Sequence, residues 1–172
     1  MTLVLDKKRL GMAIYFVNAE WQERKGLLLS DDTLMDVAQF RATDMSLQKY
    51  FDHEDPIGYW PNYWVRNYGY KLPEHWDDEA NNVESIGKGF TSPSAFMEAL
   101  YHSDAHRPHV TGDVAFFYAH RYFGVGYNES DAGVPYLVLM TAPPELAVED
   151  DDDHNIFLPV VRRGIFRSVR AG

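Results

Sequence analysis

An α+β fold is predicted for this chain on two observations. Apolar residues recur at helical spacing through roughly its first hundred positions, and aromatic or β-branched runs gather near its far end. No internal repeat competes with that reading. Leu10, Ala13, Ile14, Phe16, Val17 and Trp21 define the stripe of a first helix, and Gly26 offers it a left-handed stop. Ser30 or Asp31 can cap a second helix whose stripe is Leu34, Val37, Ala38, Arg41, Ala42 and Met45, ending near Tyr50. The loop His53-Glu-Asp-Pro-Ile-Gly58 precedes a short helix that Pro61 starts and Gly69 stops. Residues 71–82 are polar and acidic and are expected to be irregular.

Thr91-Ser92-Pro93 begins another helix, with Phe96, Met97 and Leu100 buried, until Ser103-Asp104 breaks or re-caps it; Pro108 is expected to end whatever follows. Strands are expected over Phe116–Tyr118, Tyr122–Tyr127 and Tyr136–Met140, the last two joined by the turn-rich segment 128–133. Glu149-Asp-Asp-Asp-Asp153 is a self-repelling run that reads as a solvated linker. Beyond it, Ile156-Phe-Leu-Pro-Val-Val161 is strand-like, and Arg162, Arg163, Arg167 and Arg170 are basic. The division expected is one domain over residues 1–144 and an acidic linker with a basic, apolar tail over 145–172. The tail is read as a strand or arm packed back on the domain, or else as a docking tail for a protein partner or the cell surface.

A chain of 172 residues with 45% hydrophobic and 15% aromatic content suits one compact core. A net charge of −10 disfavours phosphate backbones and argues against nucleic acid as the main partner. With no cysteine, a metal must be held by histidine and carboxylate side chains. The N-terminus has no apolar run behind a basic start, and no stretch reaches membrane-spanning length, so the chain as given is expected to be soluble, with no signal peptide and no membrane span. It is equally compatible with the mature part of a longer secreted precursor.

Three blocks in order carry a family resemblance. Tyr50-Phe-Asp-His53-Glu-Asp55-Pro56-Ile-Gly58, followed by Pro61 and Gly69-Tyr70, is the first. Glu84-Ser-Ile86-Gly-Lys-Gly89, followed by Ser92-Pro93, is the second, and Ala99-Leu-Tyr-His-Ser103-Asp-Ala-His106-Arg107 is the third; Gly124-Val-Gly126 comes after them. Together they resemble the bacterial, cysteine-free branch of the CAP superfamily (cysteine-rich secretory proteins, antigen 5, pathogenesis-related proteins), also called SCP-like, over about residues 9–142. Ser85, Leu100 and Pro108-His109 depart from the family pattern, which usually has Asn, Trp and an Asn-bearing pair at those places. The resemblance implies a three-layer α-β-α sandwich with a central antiparallel sheet, an extracellular or cell-surface location, and a cleft that gathers His53, Glu84 and His106.

Two imidazoles and a carboxylate make a suitable partial set for Zn²⁺ or a similar divalent ion, with Glu84 orienting a histidine, binding the ion or acting as a base. The fourth cleft residue of the wider family, a second Glu, is not placed in this sequence. Such a site should lose affinity as pH falls through about 6 to 7, the unperturbed histidine range. Tyr59, Trp60, Trp64 and Ser103 are expected to line the cleft. The function expected is a non-enzymatic secreted or surface module that binds a divalent metal or a small ligand, lipid or glycan. The alternatives are a metal-dependent hydrolase with Glu84 as base, and an interaction domain acting through the tail. A serine-hydrolase reading of Ser103, Asp104 and His106 is disfavoured, because residues so close on one turn do not readily align as a triad and no Gly-x-Ser-x-Gly is present.

Overall fold

The computed structural model describes residues 28–145; the helix expected over 10–26 and the segment 146–172 lie outside the described residues. The elements are β1 (Leu29–Ser30), α1 (Asp32–Gln48), α2 (Pro61–Asn67), β2 (Glu84–Lys88), α3 (Pro93–Tyr101), α4 (Arg107–Thr111), α5 (Ala115–Tyr118), β3 (Tyr122–Glu129) and β4 (Pro135–Ala142). The four strands form one sheet in the order β1-β3-β4-β2. The pairs β3–β4 and β2–β4 are antiparallel, while the two-residue β1 lies parallel to β3. The sheet is therefore mixed rather than wholly antiparallel, and the parallel part is a short edge.

Strand alternation divides the interior into two layers. Val138, Met140 and Ala142 of β4 pack with Leu34, Val37, Ala38, Ala42 and Met45 of α1 and with Val65 of α2. Leu137 and Leu139 face the other way and join Phe123 and Val125 of β3, Phe96, Met97 and Leu100 of α3, and Val110 of α4. Helices thus cover both faces of the sheet, giving the three-layer α-β-α sandwich. Each fully buried Leu, Phe or Met contributes about 1.5–3 kcal/mol from apolar burial. Glycines at alternate positions of β3 let α1 settle directly on the sheet: a Cβ at Gly124 would collide with the backbone of Leu34, and one at Gly126 with the backbone of Ala38.

Local signals mark the helix ends. Asp31 caps α1 by accepting a hydrogen bond from the Leu34 N–H at 2.9 Å. Ser92 caps α3 through the Ala95 N–H at 3.2 Å. Pro61 opens α2, and Gly69, at φ 99°, lies just past its end. Residues 71–82 carry no regular element, as expected.

Three expectations are corrected. Phe116–Tyr118 belongs to the helical turn α5, not to a strand. The turn sets the Phe116 ring 5.2 Å from Trp76 and 5.3 Å from His120, with Phe117 4.8 Å from His109, so both aromatic rings reach one cluster. A strand would send neighbouring side chains to opposite faces. Pro108 opens α4 instead of ending a helix, because its fixed φ suits a first turn whose N–H has no partner anyway. Glu84–Lys88, given above only as a motif, forms strand β2; Gly87 is needed there because a Cβ would strike the ring of Phe96.

Candidate functional site

The site begins with a charged residue in an apolar stripe. Arg41 lies on the inward face of α1 among Val37, Ala38, Ala42 and Met45, and it is fully buried. A buried guanidinium requires partners, and β2 supplies one. Glu84 stands opposite Met140 in the sheet register, so its side chain turns toward the α1 layer. Arg41 Nε donates to Glu84 Oε2 at 3.0 Å, with both side chains wholly shielded from solvent. The backbone of Glu84 is braced by Asn81, whose Oδ1 accepts from the Glu84 N–H at 2.8 Å and whose Nδ2 donates to the Glu84 carbonyl at 2.9 Å.

The other oxygen of Glu84 meets His53. Nδ1 of His53 lies 2.9 Å from Glu84 Oε1, and the His53 side chain remains 28% exposed. Arg41 also holds the loop that carries His53, because one terminal nitrogen donates to the carbonyls of Asp52 (3.1 Å) and His53 (2.7 Å). Its other terminal nitrogen donates to the Tyr50 hydroxyl at 2.7 Å, and that hydroxyl donates to Asp44 at 2.5 Å. Burial alone would raise the Glu84 carboxyl; the Arg41 charge and the His53 hydrogen bond override it and hold the group below the usual carboxylate range. An ionised carboxylate only accepts, so Nδ1 of neutral His53 carries the proton and Nε2 carries the lone pair.

His106, half-buried at the start of α4, has its Nδ1 2.8 Å from Ser103 Oγ. Burial lowers its pKa, and the proximity of His53 lowers it further. The Ser103 hydroxyl can donate to Nδ1 or accept from it; accepting leaves Nε2 of His106 free to ligate. The resemblance-based trio is thus distributed: Glu84 bonds His53 directly, and His106 is close enough to feel the His53 charge and has its own hydroxyl partner. Among the described residues no group of three or more His, Asp or Glu side chains is arranged to hold a metal ion. The donors that suit a cation are the two imidazole Nε2 atoms, while Glu84 is engaged by Arg41 and His53.

Tyr59 and Trp64 meet other aromatic rings. Tyr59 stacks on Tyr63 at 4.0 Å, and Trp64 packs edge-on to both and lies 4.5 Å from Phe40. Buried Asp55 organises this cluster by accepting from the backbone of Ile57 and Tyr59 and from Trp64 Nε1. Trp60 occupies the N-cap position of α2. Among the described residues no hydrogen bond or ring contact joins Tyr59, Trp60 or Trp64 to either imidazole, whereas Ser103 does touch the site. The residue that sequence reasoning missed is Arg41, and its signal was available: a cation in the middle of an apolar helical stripe.

The opposite face of β2 carries a second polar chain. Ser85 Oγ lies 2.7 Å from His109 Nδ1, His109 Nε2 lies 2.6 Å from Thr141 Oγ1, and Thr141 Oγ1 lies 2.6 Å from His120 Nδ1, all of it buried. Ser85 and His109, two of the departures from the family pattern, are therefore partners of each other.

A sheet sandwiched between helices, with a His–Glu pair at the start of β2 and a second histidine near it, gives this chain the fold of solved SCP-domain proteins. An extracellular protein containing an SCP domain from Bacillus anthracis superposes with a TM-score of 0.57 at 18% identity, covering 77% of this chain and 40% of that one. An outer surface protein from Borrelia burgdorferi superposes with a TM-score of 0.61 at 16% identity, covering 81% of this chain and 97% of that one. In sequence, the chain is 30% identical to YkwD of Bacillus subtilis over 121 residues, 68% of this chain. It spans only 41% of the length of YkwD. No family model matches the chain. Among the described residues no helix is long and apolar enough to cross a membrane.

Proposed function

We propose that this chain is a CAP-family binding module that works outside the cell and takes a divalent cation such as Zn²⁺ between His53 and His106. One observation carries the reading: each imidazole has its Nδ1 engaged, by Glu84 at 2.9 Å and by Ser103 at 2.8 Å, so that Nε2 is the nitrogen left to ligate. A histidine oriented by a carboxylate on its other nitrogen is a recurrent outer-shell arrangement of metal sites. Glu84 then acts as orienter, and water completes the coordination. The extracellular assignment draws support from the SCP-domain protein of Bacillus anthracis and the Borrelia outer surface protein, whose folds this chain shares.

Binding is favoured over turnover. A general base needs an oxygen free to take a proton and a pKa near the working pH, whereas both oxygens of Glu84 are engaged and its carboxyl is held low. That arrangement weakens the hydrolase alternative.

The test is calorimetric titration of Zn²⁺ into metal-stripped protein at pH 7.5, beside His53→Ala and His106→Ala. Micromolar or tighter binding in the parent, lost in both variants, supports the reading. Retention of affinity in both variants, or no heat in the parent, overturns it.

A further inference from the structure

Five aromatic rings contributed by α1, α2 and the loop before α2 form a row that the packing of the sandwich leaves partly open to solvent. Tyr68 lies 5.6 Å from Phe40, Phe40 4.5 Å from Trp64, and Trp64 5.3 Å from Tyr63, which stacks on Tyr59 at 4.0 Å. Tyr59 and Tyr68, the two ends of the row, are each 39% exposed. The row is also fixed, because the Trp64 indole N–H donates to Asp55 at 2.9 Å. All three donors to buried Asp55 are neutral, two amides and that indole, so a carboxylate sits beside the rings with no cation on it. More acid surrounds them. Burial and then the charge of Asp36 raise the Tyr68 hydroxyl above its ordinary value, and residues 52–79 hold seven acidic side chains against two basic ones, of which Arg66 is committed to Asp78. Exposed aromatic faces among uncompensated carboxylates attract cations carried on apolar stems, as in arginine.

The chain itself carries a partner of that chemistry. Residues 156–172 contain Arg162, Arg163, Arg167 and Arg170, no acidic side chain, and apolar residues that include Phe157 and Phe166. The point at which this segment is tethered is close to the row. The Pro143 carbonyl accepts from the Tyr70 hydroxyl at 2.5 Å, and Glu145 Oε1 accepts from the Lys71 N–H at 2.9 Å, so the described chain ends against residues that follow α2 almost directly. Residues 146–155 can span up to about 35 Å, and α2 is only about 10 Å long, so every ring is within reach. We propose that the aromatic row is the docking seat of the chain's own residues 156–172, with arginines over the tyrosine faces and apolar side chains between them. The acidic run 149–153 has the same sign as the seat and stays out of it. Tethering gives the segment a millimolar effective concentration, so modest contacts suffice. The inference does not depend on a cation at His53 and His106.

The experiment times tryptic cleavage after Arg162, Arg163 and Arg167 by mass spectrometry, in the full chain and in a synthetic peptide of residues 154–172, with circular dichroism to verify folding. The full chain should be cut about tenfold more slowly than the peptide, the factor for a segment docked nine-tenths of the time. Tyr59→Ser/Tyr68→Ser should abolish that protection and Asp36→Asn should lower it, whereas Tyr118→Ser, at an exposed tyrosine outside the row, should leave it unchanged. Equal rates in the full chain and the peptide overturn the inference, as does protection that survives Tyr59→Ser/Tyr68→Ser or falls as far in Tyr118→Ser. If the double variant does not fold, Asp36→Asn and sodium chloride at about 0.5 M decide: both should speed cleavage of the full chain toward the rate of the peptide under the same conditions, and no change in either overturns the inference. Protection that fades on about hundredfold dilution assigns the seat to the tail of a second copy and also overturns it.

Discussion

The two faces of β2 solve the problem of buried polarity by different means. Glu84, on the α1 side, is an ion, and it survives burial because Arg41 supplies an opposite charge and His53 a hydrogen bond. Ser85, one residue later and on the other side, is neutral, and it joins His109, Thr141 and His120 in a chain of hydroxyls and imidazoles. The difference lies in what happens when a member is lost. Removing one half of a buried ion pair strands a charge, while removing a hydroxyl strands only a dipole. The charged face also opens toward solvent at His53, whereas His109 and His120 are enclosed. The candidate site therefore belongs to the first face, and the second is a structural brace.

Substitutions can break this contrast. The largest effect is expected from Glu84→Leu, which leaves the Arg41 guanidinium buried and unpaired and should cost about 3–5 kcal/mol in urea unfolding. The double change Arg41→Leu/Glu84→Leu should recover most of that loss, and a double variant no more stable than Glu84→Leu would show that charge is not the cause. On the neutral face, Thr141→Val keeps the shape of the residue but removes the hydroxyl shared by two imidazoles, and a loss of about 1–3 kcal/mol is expected. A Thr141→Val loss as large as that of Glu84→Leu would erase the distinction between the faces.

Acid sharpens the same comparison more gently. His106 has a lowered pKa in the fold, so as pH falls below the ordinary histidine value of 6.5 the unfolded chain takes the proton first, and stability declines down to the folded pKa. Glu84 is also lowered in the fold; its contribution is complete above the unfolded value of 4.5 and is lost as pH falls through the folded pKa. Unfolding free energy measured from pH 8 to 3 should therefore drop in two stages, with His106→Ala removing the upper stage and leaving the lower. A single stage unaffected by His106→Ala would contradict the assignment.

Much of this was legible in the residues themselves. The Asp31 cap, the Pro61 start with its Gly69 stop, the Ser92 cap and the β3–β4 hairpin are local signals, and the structure has them where expected. The failures came where local chemistry is ambiguous. Phe116–Tyr118 is as aromatic as a strand, and only its contacts with Trp76, His109 and His120 decide for a helical turn. Strand β2 is short and polar, and its partner β4 lies about fifty residues away in the register Glu84 with Met140. His53, Glu84 and His106 were recognised through family resemblance, since no spacing between them encodes a site.

By itself the sequence determined the boundaries of α1, α2 and α3, the hairpin and the absence of thiol chemistry, because capping, turn formation and composition act within a few residues along the chain. The tertiary structure decided that Arg41, Glu84 and His53 meet, that Ser85 and His109 are partners, and that Trp64 is held by Asp55. Those pairings join elements distant in the chain, and they follow from strand register and from the close seat of α1 over Gly124 and Gly126, which only the assembled sheet defines.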